Sequence, residues 1–163
     1  MSKVVFVRDF MVTRLVTLAP DTDIFQAMKT LVQNRFSGAP VVDAQNNLVG
    51  MLSEKDCLRV FASGAYYYDA GGRVADFMTR AVATVDPEDE LFKVADIFMS
   101  QSFRRLPVVV DGKLVGQISR RDVLLASLKI CEESPIKPPF TDSKFISDEM
   151  KAVLDAPPKP KGP

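Results

Sequence analysis

Gly50-Met51-Leu52-Ser53-Glu54-Lys55-Asp56 and Gly116-Gln117-Ile118-Ser119-Arg120-Arg121-Asp122 are the stretches whose reading decides the fold. Each runs glycine, two residues, serine, two residues, aspartate. Each closes an apolar run and opens a helical one, so a strand arrives and a helix leaves. A strand glycine lets another group approach the backbone closely. A serine at the junction sets a hydroxyl beside the open N–H groups of the first helical turn. An ionised aspartate three residues on accepts hydrogen bonds and donates none. A vicinal diol such as a ribose offers such a group two donors, and a hydrogen bond to a charged group contributes roughly 1.5–3 kcal/mol net. The same Ser-x-x-Asp spacing is that of a capping box, in which serine and acid satisfy N–H groups reciprocally. The two readings are compatible, because one carboxylate has lone pairs for both.

Outward from these stretches the duplication continues. Met11 matches Met78, Pro20 matches Pro87 and Pro40 matches Pro107, each 67 residues on. Beyond the next turn the offset is 66, for Gly50 and Gly116, Ser53 and Ser119, Asp56 and Asp122. A one-residue length difference in that turn explains the change. Residues 1–10 precede the repeat as a leading strand or arm.

Within a repeat, Val16-Thr17-Leu18 reads as a short extended piece ending at Pro20. Asp21, Thr22 and Asp23 are candidate helix N-caps. Ile24, Ala27, Met28, Leu31 and Val32 then fall at i, i+3, i+4, i+7 and i+8, one apolar face of a helix. Leu91, Val94, Ala95, Phe98 and Met99 fill the same slots in the second copy, and these side chains are expected in the core. Two strands follow, 39–42 and 48–53 in the first copy, 106–110 and 113–119 in the second. Asp111-Gly112 joins the second pair and predicts a two-residue hairpin with φ > 0 at both positions. Helices over about 54–63 and 120–131 close the repeats. The order is strand, helix, strand, strand, helix, written twice.

The whole chain bounds the chemistry. Its 163 residues are 47% hydrophobic and 26% charged, enough for a real core. Basic and acidic residues balance at 21 each, so there is no general pull toward nucleic acid or acidic membranes. There is no histidine, which excludes histidine acid–base catalysis and histidine metal sites. Cys57 and Cys131 suggest two reduced thiols rather than a disulfide framework. Val4-Val5-Phe6-Val7 is too short for a signal-peptide core, and no run approaches the roughly 18 apolar residues of a membrane span. A soluble, cytoplasmic protein without catalytic residues or metal is expected.

The domain organisation reads as a first repeat with its N-terminal arm over 1–63, a glycine-bearing linker over 64–73, a second repeat over 74–131, and a proline-rich tail over 132–163. Tyr66-Tyr67-Tyr68 in the linker suits either base stacking or a core edge or subunit contact. In the tail, 144–154 is spaced for a short amphipathic helix, and the last residues are expected to be disordered.

The doubled pattern resembles a tandem pair of CBS domains, the family named after cystathionine β-synthase. The resemblance covers about 8–131. It rests on Met11-Val12-Thr13 and Met78-Thr79-Arg80, Pro20-Asp21 and Pro87-Glu88, Ala39-Pro40-Val41-Val42-Asp43 and Leu106-Pro107-Val108-Val109-Val110, and the two glycine–serine–aspartate stretches. Gln117 departs from it, being polar where the family prefers an apolar strand residue. The resemblance implies an α+β fold, two β-α-β-β-α repeats packed with pseudo-twofold symmetry, and two clefts. It implies a regulatory module that binds adenosine-containing ligands, AMP, ADP, ATP or S-adenosylmethionine, with no required cofactor, and a flat homodimer. It further implies that one cleft joins Ser119 and Asp122 to Thr13, Ser37, Gly38 and Ala39. The other joins Ser53 and Asp56 to Arg80, Arg104 and Arg105.

Those clefts differ in residue chemistry. Ser37-Gly38-Ala39 is small and neutral, whereas Arg104-Arg105 fills the matching slots with guanidinium forks that suit phosphate oxygens. Lys55 and Arg121 add charge near the helix starts. The Arg104/Arg105 cleft is therefore expected to be the stronger phosphate site, a solvated loop pair being the alternative. A non-catalytic dimerisation scaffold that recruits a protein partner without nucleotide is the competing function.

Overall fold

The computed structural model describes residues 4–62 and 71–133. The tyrosine cluster, the 144–154 segment and the proline-rich tail lie outside the described residues. The chain divides after Val123, and both sheets and both clefts belong to the part before that division. Of the part after it, the described residues are the remainder of one helix.

Helix α1 (Ile24–Asn34) starts at Asp23, whose Oδ1 accepts from the N–H groups of Phe25 and Gln26, each at 3.0 Å. It ends where Arg35 turns left-handed at φ 54°. Strands β1 (Gly38–Val42) and β2 (Leu48–Ser53) then pair antiparallel, and α2 (Glu54–Ala62) leaves from the end of β2. A short helix α3 (Val74–Phe77) opens the second copy. Helix α4 (Leu91–Ser100), the antiparallel strands β3 (Arg105–Val110) and β4 (Lys113–Ser119), and α5 (Arg120–Glu133) complete it.

The expected first strand of each repeat is reduced to one bridged residue. Leu18 N–H donates to Pro40 O at 3.0 Å and Leu18 O accepts from Val42 N–H at 2.9 Å, a parallel bridge beside β1. Val85 makes the same contacts with Pro107 and Val109. Pro20 and Pro87 lie two residues further on and have no N–H with which to extend a ladder.

Four of the five helical slots are buried or half-buried as expected, and the fifth is not. Val32 and Met99 are 77% and 78% exposed. At 3.6 residues per turn the i+8 position lies about 80° off the stripe's first residue, whereas i+7 lies about 20° off. The expectation that Met99 is a core residue is therefore corrected.

The hairpin turns join the two halves. Asp111 and Gly112 have φ of 50° and 78°, the expected positive pair. Leu48 N–H donates to Gly112 O at 2.9 Å, and Leu114 N–H to Asn46 O at 3.1 Å. Lys113 Nζ adds a bond to Gln45 O at 2.8 Å.

The leading segments cross over. Val12 pairs with Gln117 of β4, through N–H···O bonds of 2.8 and 2.9 Å. Thr79 pairs with Met51 of β2 through bonds of 2.9 and 2.8 Å. The leading segment of each copy thus lies on the other copy's sheet. Val74 and Met78 are buried in one core cluster with Leu18, Ile24, Ala27, Leu31, Ala39, Val41, Leu52 and Val60. The second copy's equivalents Val85, Leu91, Val94, Phe98, Leu106, Val108 and Ile118 are likewise buried, as is Val7, the counterpart of Val74. The result is two β-α-β-β-α repeats related by pseudo-twofold symmetry.

This crossover explains the strand glycines. A Cβ on Gly50 would lie 2.5 Å from Met78 Sδ and 3.0 Å from Thr79 O. A Cβ on Gly116 would lie 2.8 Å from Met11 Sδ and 3.2 Å from Val12 O. The group that approaches each glycine is the opposite copy's methionine, not a ligand.

Candidate functional site: two related clefts

The Ser-x-x-Asp stretches are capping boxes in both copies. Ser53 N–H and Oγ–H donate to Asp56 Oδ2 at 2.9 and 2.6 Å, and Asp56 N–H returns to Ser53 Oγ at 3.2 Å. Ser119 and Asp122 repeat this at 2.7, 2.6 and 3.3 Å. One carboxylate oxygen is used in each case. Asp56 Oδ1 also meets the exposed Arg59 guanidinium at 3.3 Å. Position 125, the repeat equivalent of Arg59, is leucine. Asp56 is buried, with 4% of its surface exposed, yet it borders a cavity.

That cavity is the larger of two clefts, about 570 Å³ in volume. Ser53, Lys55 and Asp56 line it from β2 and α2, Arg104 from the approach to β3 and Arg105 from the first position of that strand. The cavity thus brings Ser53 and Asp56 together with both arginines. Met51, Thr79, Ala81, Val82, Ala83, Ser102 and Phe103 also line it. Beside it on α2, burial pushes the Cys57 thiol above its ordinary pKa, and the Asp56 charge adds to the effect.

The smaller cleft, about 230 Å³, carries Ser119 and Asp122 with Val12, Arg14, Leu15, Val16, Phe36, Gly38, Arg105 and Gln117. Its lining is the repeat equivalent of the larger one. Arg14, Leu15 and Val16 stand where the larger cleft has Ala81, Val82 and Ala83, and these bulkier side chains account for its smaller volume. The Arg105 guanidinium lies 5.4 Å from the Phe36 ring centre, which fills this side further.

Several expected site residues lie elsewhere. Arg80 is not in the cleft lining; its Nη2 donates to Ala75 O at 2.9 Å. Thr13, Ala39 and Arg121 line neither cleft, Ala39 being buried in the first core. Ser37 lines the larger cleft, and Gly38 lines both. The smaller cleft is not neutral, since Arg14 and Arg105 line it. Sequence reasoning missed Arg14, Phe36, Phe103 and Met51. The repeat offset was the signal for them, because each lining residue of the smaller cleft has its counterpart in the larger one.

A CBS domain family model matches residues 7–63 and 74–129, once per repeat. The chain belongs to the CBS domain family. The pair is 34% identical over 118 residues to the uncharacterized protein MJ1225 of Methanocaldococcus jannaschii, covering 72% of this chain and 41% of that protein's length. It is 34% identical over 157 residues to the chloroplastic CBS domain-containing protein CBSX1 of Arabidopsis thaliana, covering 79% of this chain and 66% of that one. Among solved structures it is similar to CBSX2 in complex with AMP, with 35% identity and a TM-score of 0.69 over 77% of this chain and 97% of that one. Among the described residues, no helix is long and apolar enough to cross a membrane, and no group of three or more acidic or cysteine side chains is placed to hold a metal ion.

Proposed function

We propose that the pair is a regulatory module that binds an adenosine-containing nucleotide in its larger cleft. One observation carries this reading: the start of α2, with Ser53 and Asp56, shares a single cavity with two arginines from the opposite repeat. The Asp56 carboxylate suits a ribose diol, the apolar Met51 and Val82 suit the base, and Arg104, Arg105 and Lys55 suit phosphate. Charge-assisted bonds of this kind are roughly twice as strong as neutral ones. The similarity to CBSX2, solved with AMP, supports the class of ligand. AMP, ADP and ATP match the arginines better than S-adenosylmethionine, whose sulfonium is a cation. The reading keeps 1–63 and 74–131 as the repeats, 64–73 as linker and 132–163 as tail, and is that of a cytoplasmic, non-catalytic homodimer.

Calorimetric titration of AMP into the native chain, Arg104→Ala and Asp122→Ala tests it, Arg104 being the arginine that lines the larger cleft and not the smaller. The Arg104→Ala variant is expected to lose more affinity than Asp122→Ala. Equal losses remove the asymmetry between the clefts, and no binding by the native chain removes the reading. Thermal unfolding gives a second readout, since a ligand at a hundred times its Kd stabilises by about 2.7 kcal/mol.

A scaffold without nucleotide is favoured by a separate observation. The Ser–Asp pairs are complete as caps, and Leu58 and Phe61 on α2 and Phe92 and Met99 on α4 are exposed apolar side chains of the kind helices use to dock. Such a protein gains no stability from any nucleotide.

A further inference from the structure

Gln117 is 8% exposed, and its Nε2 has no hydrogen-bond partner among the described residues. It lines the smaller cleft beside Ser119 and Asp122. Buried polar groups in folded proteins nearly always have a partner, and those without one call for an explanation. The strand does not demand an amide here. Gln117 faces Pro107 across its ladder as Met51 faces Pro40, so the other repeat fills the equivalent position with a thioether. A methionine at 117 would leave nothing unpaired, yet the chain carries a group that needs an acceptor where the cleft is deep enough to bury it.

We infer that Gln117 is the specificity-determining residue of the smaller cleft, where its amide reads the edge of a nucleobase that presents a donor beside an acceptor, as adenine does. This rests on the nucleotide-binding reading above. A glutamine amide offers one carbonyl acceptor and an NH₂ donor. Adenine N6–H₂ and N7 match that pair, and a glutamine–adenine bidentate contact is among the standard base readouts. A 6-oxopurine such as hypoxanthine presents two acceptors on the same edge and sets one against the glutamine carbonyl. The cleft's two cations, Arg14 and Arg105, and its acid, Asp122, then meet the phosphate and ribose. The two clefts are thereby divided in chemistry: the larger takes a base against a methionine and discriminates weakly, the smaller takes it against an amide.

The test compares AMP with IMP on the full chain. Asp56→Ala removes the ribose acid of the larger cleft and leaves the smaller one to be titrated. AMP is expected to bind this variant more tightly than IMP by on the order of ten- to a hundredfold, the range of a good bidentate base contact. Adding Gln117→Met is expected to bring the ratio close to one. Should Asp56→Ala not fold, the native chain serves, with the Met51 methyl NMR signal reporting the larger cleft and the Gln117 side-chain amide signal the smaller. In that form the Gln117 amide is expected to move with AMP and not with IMP at matched concentration. An AMP/IMP ratio unchanged by Gln117→Met, or an amide signal indifferent to AMP while Met51 responds, overturns the inference and leaves the larger cleft's reading standing. A native chain that binds neither nucleotide overturns both.

Discussion

Gly50→Ala tests the crossover that builds the clefts. The new methyl carbon would sit 2.5 Å from Met78 Sδ, 2.9 Å from Met78 Cγ and 3.0 Å from Thr79 O. The thioether can swing away. The Thr79 carbonyl has less room, because it accepts the Met51 N–H at 2.9 Å in the bridge that holds the two repeats together. Overpacking of this kind costs typically about 1–3 kcal/mol. The loss of glycine freedom in the unfolded chain offsets about 0.4–1 kcal/mol of that. A net destabilisation of about 1–2 kcal/mol is expected, or roughly 2–8 °C in Tm for a chain of this size. Met78→Ala by itself opens a cavity in the first core and costs about 2–5 kcal/mol. The double variant is expected to be more stable than the sum, with a coupling of about 0.5–3 kcal/mol, because the missing side chain leaves room for the methyl. Urea unfolding followed by circular dichroism on all four proteins completes the cycle. Additivity to within about 0.5 kcal/mol refutes the contact and with it the crossed placement of the leading segment. Gly116→Ala, with its nearest atoms at 2.8 and 3.2 Å, is expected to cost less than Gly50→Ala.

Asp56→Ala removes a helix cap and is expected to cost about 1–2 kcal/mol in urea unfolding, apart from any loss of ligand; no loss refutes the capping role. Asp43 is held below its ordinary pKa of 3.8, first by the Asn47 side-chain amide and then by backbone N–H groups of the turn. A depressed folded pKa means that its contribution to stability is present above about 3.8 and is lost as pH falls through the lower folded value. Asn47→Ala is therefore expected to raise the Asp43 midpoint in an NMR acid titration, and an unmoved midpoint refutes the assignment. The Cys57 thiol, raised above 9.0 by burial and the Asp56 charge, stays protonated at neutral pH, and its thiolate forms more readily in the unfolded chain, so stability falls as pH rises past about 9.0. Iodoacetamide labelling read by mass spectrometry is expected to modify exposed Cys131 well before Cys57; equal rates count against that environment.

The elements were legible in the sequence because their causes are local. Asp23 caps α1 with an oxygen two and three residues from the N–H groups it meets, and Asp111-Gly112 turns the chain through its own φ preferences. Ser53 and Asp56 close their box within a single helical turn. Duplication then carried the resemblance to the family, since one set of local signals written twice implies two equivalent halves, and the expectation of two clefts came with that resemblance. What tertiary packing decided were the contacts between residues about 30 to 105 positions apart. Local pattern alone did not show that Met78 fills the space beside Gly50, that Arg105 serves both clefts, or that Arg14 makes the smaller cleft cationic. Gln117 marks the division most clearly: its polarity was visible in the chain, but only the fold buries its Nε2 beside the smaller cleft with no hydrogen-bond partner among the described residues.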